Sequence, residues 1–350
     1  MIPSYYEFQS SVKILSGLNA LENIPFELNN LNSSKPLILT DEILMKNGNL
    51  KIITSALENS NYKDYFIFKD IPVDSSVDVV NQISDIYFEE SYDSIIAIGG
   101  DSVINTAKKV IDKKSSPLII VPTTSKMYNE ASVVVIDPRI LENLTPKLIA
   151  SKAIEALTHS IEAYSCLQKN PISDSFAFSS IKMIMENIVN VIENPKDKKL
   201  WLVLSNASLM ASIAFSNSMA GITHALSHAC SDVCGVSHSE AMAALLPYCM
   251  EYNKNAVDDY YSELLLPIAG PDIYCKAFKN RRAEKAIYYI RDLINELHEI
   301  ASLPKSLREL GIDKKSFEEI AQKTVNNEAI LVNPLKASEE SIIEILNNAY

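Results

Sequence analysis

Four of the five histidines in this 350-residue chain fall between residues 153 and 240, and their spacing is the first feature that could carry chemistry. In Glu155-Ala-Leu-Thr-His159 a carboxylate and an imidazole stand four positions apart. On a helix that spacing puts both on one face, one turn apart, where they can meet a single ion. His224-Ala-Leu-Ser-His228 repeats the spacing, and His238 follows. One carboxylate with several imidazoles is a ligand set suited to Fe2+ or Zn2+. Any one of these histidines could be a core or cap residue; four of them, with two helical pairs, favour a metal site.

A second constellation is Gly99-Gly100-Asp101-Ser102-Val-Ile-Asn105-Thr-Ala-Lys108, directly after an apolar run and at the opening of a helical pattern. Glycines there let backbone approach a phosphate, and a helix N-terminus offers free N–H groups and positive dipole. A tight structural turn explains the same residues. Asp41 closes the run Leu37-Ile-Leu-Thr-Asp. It could accept hydrogen bonds from ribose hydroxyls and repel a 2′-phosphate, or cap the next helix. Pro122-Thr123-Thr124 offers hydroxyls at the end of another apolar run, where ligands of open α/β sheets collect.

The elements that must position these groups fall into two textures that meet near residue 138. Before it, Lys35–Asp41, Tyr65–Phe68, Ser94–Gly100 and Pro117–Pro122 alternate with helical patterns such as Ser75–Glu90. Apolar strands without polar alternation are buried on both faces, as in a parallel sheet flanked by helices. After it, long helical stretches are expected over Ser151–Tyr164, Asp174–Glu193 and Leu200–Cys230, punctuated by Pro195, Pro247, Pro267 and Pro304, with a further amphipathic helix starting near Asn280. The expected organisation is an α/β nucleotide-binding domain with a parallel Rossmann-like sheet over residues 1–138, then an all-α metal- and substrate-binding domain over 139–350.

Composition excludes several classes. A net charge of −12 argues against nucleic acid or an anionic membrane as partner, since both need basic surface. No uninterrupted apolar run reaches bilayer length, and the N-terminus lacks a basic stretch followed by an apolar one. The five cysteines, an odd number scattered through helical sequence, argue against a disulfide framework and fit a reducing cytoplasm. Cys230 and Cys234 share a helical face and read as small buried thiols before metal ligands.

Together these residues resemble the iron-containing alcohol dehydrogenase family, relatives of glycerol dehydrogenase and dehydroquinate synthase, over essentially the whole chain. Gly99-Gly-Asp-Ser-Val-Ile-Asn-Thr-Ala-Lys is similar to the family's Gly-Gly-Gly-Ser-x-x-Asp-x-Ala-Lys pyrophosphate loop, Thr40-Asp41 to its adenosine-side aspartate, Pro122-Thr-Thr to its second nucleotide motif, and Ile136-Asp-Pro138 to its domain-junction Leu-Asp-Pro. Glu155-Ala-Leu-Thr-His-Ser-Ile-Glu-Ala-Tyr164 is the strongest match. Ala214-Phe-Ser-Asn217, Gly221–His228 and Ser237–Pro247 continue it in order. The resemblance implies metal ligation by Glu155, His159, His224 and His238, with His228 beside nicotinamide and substrate as a catalytic proton relay. It implies nucleotide contacts from Asp41, Gly99, Gly100, Asp101, Ser102, Thr123 and Thr124. It further implies Fe2+ (Zn2+ as the alternative), NAD before NADP, a small alcohol or aldehyde as substrate, and a homodimer.

The departures are specific. Glu155 replaces the family's aspartate, Asp101 puts a negative charge in place of the third phosphate-loop glycine, and Asn105 replaces an aspartate. After Thr124 the chain runs almost directly to Val133-Val-Val-Ile-Asp-Pro, where the family has a longer strand and loop. Either a nucleotide-contacting hairpin is lost or the sequence joins pieces across omitted loops. Three shortenings, all at expected surface loops, favour the second. The competing functions are a phospho-polyol dehydrogenase or sugar-phosphate cyclase relative, suggested by Glu155 but short of basic residues near the histidines, and a non-catalytic paralogue, suggested by Asp101.

Overall fold

Runs such as Ser94-Ile-Ile-Ala-Ile-Gly form strands because every side chain in them must be buried, and in the structure all six residues of that run are. The computed structural model describes residues 3–46, 50–60, 62–72, 76–111, 116–123, 131–141 and 144–350. Strands β1 (Lys13–Ser16), β2 (Pro36–Leu39), β3 (Phe66–Phe68), β4 (Ser94–Gly99), β5 (Leu118–Pro122) and β6 (Val133–Ile136) make a six-stranded sheet in the order β1-β6-β5-β4-β2-β3. Every pairing is parallel. Helices α1 (Ile24–Asn30), α2 (Glu42–Lys46), α3 (Leu50–Asn59), α4 (Val77–Glu89) and α5 (Asp101–Ile111) connect them. Ile38, Ile96, Ile98, Ile119, Val133 and Val135 pack against Leu21, Ile24, Leu28, Ile53 and Leu57 in one apolar core.

Strand β1 has no signature in the sequence: four residues, none of them buried, extended only because they pair with β6. Strand β2 ends at Leu39, two residues before the expected Asp41, because Asp41 turns the chain into α2. The neighbours β5 and β6 are joined by residues 123–132 alone. That is shorter than the dozen or more residues that parallel neighbours ordinarily need for a crossover.

The remainder is helical: α6 (Pro146–Ser165), α7 (Pro171–Glu193), α8 (Lys198–Ser218), α9 (Ile222–Cys234), α10 (His238–Ala269), α11 (Pro271–Lys276), α12 (Arg282–Ala301), α13 (Phe317–Val325) and α14 (Glu339–Asn348). The starts follow capping chemistry. The Thr145 hydroxyl accepts the Leu148 N–H before Pro146, and Asn170 and Ser173 cap α7 reciprocally around Pro171. Every residue of α6 from Ile149 to Ser165 except Lys152 is buried, so its polar side chains all need partners.

Several helical expectations change. Helices α6 and α7 begin at Pro146 and Pro171, ahead of the expected Ser151 and Asp174, because Thr145 and Asn170 cap them there. The single stretch over Leu200–Cys230 breaks after Ser218, where Met219 takes φ 68° and Gly221 starts a new helix. Pro247 and Pro267 lie inside α10, which leaves helical geometry only at Val257. Among the described residues one helix, α8, is long and apolar enough to cross a membrane by length and composition. Its Ser205, Asn206 and Ser218 turn their polar groups back onto carbonyls one turn earlier, which lets a serine- and asparagine-containing helix behave as apolar.

The chain divides into two compact units. One comprises Ser10–Asn143 with Pro195–Asn206; the other comprises the segment ending at Gln9, Leu144–Asn194 and Ala207–Tyr350. The division expected after residue 138 is therefore discontinuous: the stretch 195–206 goes with the sheet and the first residues go with the helices.

Candidate metal centre

Lys152, Glu155, His159 and Glu162 line one stripe of α6 at spacings of three, four and three. The carboxylate of Glu162, fully buried, accepts the N–H groups of Gly221 (2.8 Å), Thr223 (2.6 Å) and His224 (3.4 Å). These are donors at the start of α9, which has no N-cap side chain of its own. Asn333 Oδ1 takes the Ile222 N–H at 3.1 Å and is itself held by Asn253. A Cβ on Gly221 would lie 3.1 Å from both Glu162 Oε1 and Asn333 Oδ1, so a larger residue would push the two acceptors back from the helix end by a few tenths of an ångström. Burial pushes the Glu162 carboxyl upward, while the Thr223 hydroxyl and the three N–H groups oppose it. The positive end of α9 also favours a carboxylate there.

This anchoring presents His224 to His159: His159 Nε2 and His224 Nδ1 are 3.3 Å apart. The Phe215 ring from α8 lies against both, with centroids at 4.5 and 5.2 Å. Helix α9 ends at Gly235 in the left-handed conformation (φ 68°), and after that turn His238 opens α10. The turn brings the His238 ring to 3.9 Å from that of His228 and 5.2 Å from that of His224. All four histidines named from the sequence thus meet in one cluster. His159 is buried, His224 and His238 are partly buried, and His228 is exposed.

The cluster fits a divalent ion. Two nitrogens each ~2.05 Å from a tetrahedral ion lie about 3.3 Å apart, which is the His159–His224 separation. His238 Nδ1 is buried without a hydrogen-bond partner, a costly state for an imidazole nitrogen unless a ligand uses it. Burial, then the neighbouring His228 and His159, push the His238 imidazole down to about 2, so it stands as the neutral, metal-binding form. Among the described residues the ligand atoms of His224, His228 and His238 lie within 4.8 Å of one another, a group that takes in His228 and leaves out Glu155 and His159, two of the ligands the resemblance implies. Glu155 stands one turn before His159, and its Oε2 receives Lys152 Nζ at 2.8 Å.

Sequence reasoning missed Glu162 and Lys152. Both were legible as positions on the helical face that carries Glu155 and His159, at i+3 from the histidine and i−3 from the glutamate. The histidine region shows few basic residues in sequence, yet α6 brings Lys152 into it. Cys230 is buried in the helical core and its thiol is pushed up to about 12 by burial, in keeping with a packing role.

At the sheet, Asp41, Gly99–Ser102 and Thr123 gather at the C-terminal edges of neighbouring strands β2, β4 and β5. Thr123 N–H donates to Gly99 O at 3.0 Å. A Cβ on Gly99 would meet Val103 Cγ2 at 2.8 Å and Asp41 Oδ2 at 3.4 Å. Asp41 Oδ1 accepts the Leu44 N–H at 2.9 Å, so it does cap α2, with its second oxygen turned towards Gly99. Asp101 opens α5, where a carboxylate stabilises the helix dipole at the place a phosphate would use. Thr124, and the shortened stretch through Glu130, lie outside the described residues.

One unit is a parallel α/β sheet with a glycine turn at its strand edge; the other is helical and carries a cluster of four imidazoles. Residues 11–154 match the family described as iron-containing alcohol dehydrogenase, and residues 149–350 match the Fe-containing alcohol dehydrogenase family, C-terminal. The chain belongs to the iron-containing alcohol dehydrogenase family. It is 24% identical over 380 aligned positions to long-chain-alcohol dehydrogenase 1 of Geobacillus thermodenitrificans, covering 95% of this chain and 94% of that protein. Alcohol dehydrogenase 4 of Saccharomyces cerevisiae is 26% identical over 385 positions, with 95% and 96% covered. In fold it is similar to 1,3-propanediol oxidoreductase, with a TM-score of 0.92, 23% identity, and coverage of 99% and 100%. Both alignments are longer than the 350-residue chain, so the relatives carry insertions relative to it.

Proposed function

We propose that the protein is a metal-dependent alcohol dehydrogenase that interconverts a small alcohol or diol with its carbonyl compound, using NAD in preference to NADP. The observation that carries this reading is the cluster of four imidazoles around the 3.3 Å His159–His224 contact, with a neutral His238 whose buried Nδ1 has no other partner.

Glu155, His159, His224 and His238 would hold the ion, Fe2+ before Zn2+. Bound there, a divalent cation supplies Lewis acidity that lowers the pKa of an alcohol oxygen or polarises a carbonyl, and a nicotinamide supplies the hydride acceptor or donor. Glu162 keeps His224 in place by fixing the first turn of α9. Phe215 covers one side of the His159–His224 pair and keeps both rings in one orientation. His228, exposed at one edge and in ring contact with His224 and His238, receives the alcohol proton and passes it to water. At the sheet edge, Gly99, Gly100 and Ser102 at the start of α5 would receive the pyrophosphate. The Asp41 carboxylate, oriented by its cap to Leu44, would take ribose hydroxyls and disfavour a 2′-phosphate. Thr123 would add a hydroxyl at the same edge.

The test is elemental analysis of the purified protein together with NAD-linked oxidation of short primary alcohols and diols after anaerobic iron loading. One divalent ion per chain is expected, lost in His159→Ala and in His224→Ala. Full activity in metal-free protein would overturn the reading. Absence of NAD binding by calorimetry would assign the chain a binding or assembly role instead.

A further inference from the structure

The cation already present at the cluster belongs to the protein. Lys152 is the single residue of α6 between Ile149 and Ser165 that is not buried, and its ammonium lies 2.8 Å from Glu155 Oε2. The Glu155 side chain is only 5% exposed, so water cannot screen the pair well.

One carboxylate with three neutral imidazoles presents a net charge of −1 to a divalent ion; with the ammonium included the set is neutral. An incoming ion must share or take the Glu155 oxygen from Lys152 and then remain beside a like charge. We propose that Lys152 is an internal competitor for Glu155 that weakens divalent-ion binding and makes the site readily exchangeable. In the metal-free state the same ammonium holds the buried carboxylate in place. This is a positioning role, and it rests on the reading of Glu155, His159, His224 and His238 as the ligands.

The experiment compares wild type with Lys152→Gln, Lys152→Met and Lys152→Arg. Each protein is stripped of metal and titrated with Zn2+ in competition with a chromophoric chelator, and the melting temperature is followed with and without Zn2+. Lys152→Gln and Lys152→Met are expected to bind Zn2+ about tenfold more tightly than wild type, while Lys152→Arg, which keeps the charge, stays within about threefold. Without metal the two neutral variants should melt below wild type, because the buried Glu155 carboxylate loses its ammonium partner, and they should gain more on adding Zn2+. If a variant is unfolded without metal, the Zn2+ concentration that restores its near-ultraviolet signal reads the affinity once the free energy of folding is subtracted.

Equal or weaker Zn2+ binding by the neutral variants, with wild type binding normally, overturns the competitor role and leaves the metal site standing. Wild type that binds no Zn2+, or binds it no better than His159→Ala, overturns both.

Discussion

The histidine cluster and the glycine turn at the sheet edge are held in opposite ways. The start of α9 is satisfied by Glu162 and Asn333, residues 59 to 111 positions away in the chain. The glycine turn is held almost entirely by near neighbours: Asp41 caps three residues ahead, and Gly99 makes room for Val103 four residues ahead. Thr123 adds one bond through strand register. Long-range buried contacts make the first site costly to alter, whereas the second can accept substitutions such as Asp101 and Asn105 with small local consequences.

The largest expected effect tests that contrast directly. Glu162→Ala leaves the N–H groups of Gly221, Thr223 and His224 buried without their acceptor and should cost about 4 kcal/mol. Bound metal should be lost with it, read by urea unfolding and elemental analysis. Glu162→Gln, which keeps one acceptor oxygen, should cost about half as much. A loss below about 1 kcal/mol in the alanine variant would show that Glu162 does not hold α9.

The sheet unit has its own long-range polar anchor. Arg139 binds buried Asp137 and reaches Glu22, while Asp137 also accepts the Leu21 N–H. Arg139→Gln should cost about 3 kcal/mol at neutral pH. The guanidinium and N–H bonds hold the Asp137 carboxyl below its ordinary 3.8 despite burial, and Arg139 holds Glu22 below 4.5. Folded values depressed in this way mean stability that is present above those ordinary values and lost as pH falls through and below them. The difference between wild type and Arg139→Gln should therefore be full at pH 7 and shrink below about pH 4. A pH-independent difference in melting temperature would remove the electrostatic explanation.

At the glycine turn the effects are smaller. Gly99→Ala drives a Cβ to 2.8 Å from Val103 Cγ2 and should cost about 2 kcal/mol, with weakened NAD binding in calorimetry. Unchanged stability would mean that the turn relaxes freely. Smallest of all, Asp101→Gly removes a carboxylate from the start of α5. It should tighten NAD binding about fivefold while lowering stability by under 1 kcal/mol. Weaker NAD binding in that variant would make the carboxylate a contact instead of an obstacle.

Much of the site was legible because its signals are local. The four-residue spacings of Glu155 and His159 and of His224 and His228 survive as neighbours on α6 and α9. The apolar runs ending at Gly99 and Pro122 survive as buried strands. What escaped was the break between α8 and α9. Leu200–Cys230 carries one helix breaker, Gly221, and it is the Glu162 carboxylate on α6 that accepts the N–H groups freed by a break there. The ion pair of Lys152 with Glu155 was hidden for a related reason: an i,i+3 pair is ordinary on a surface helix, and it is the burial of α6 that takes this one out of water.

By itself, then, the sequence determined the residue types at the site, the helical faces that carry them and the parallel character of the sheet. Each follows from the residues themselves or from their periodicity. Only the tertiary structure decided which histidines meet, that Glu162 and Asn333 close the end of α9, and that Lys152 stands beside the ligands. Those outcomes depend on unsatisfied polar groups finding partners across long stretches of chain, and residue spacing carries no record of such meetings.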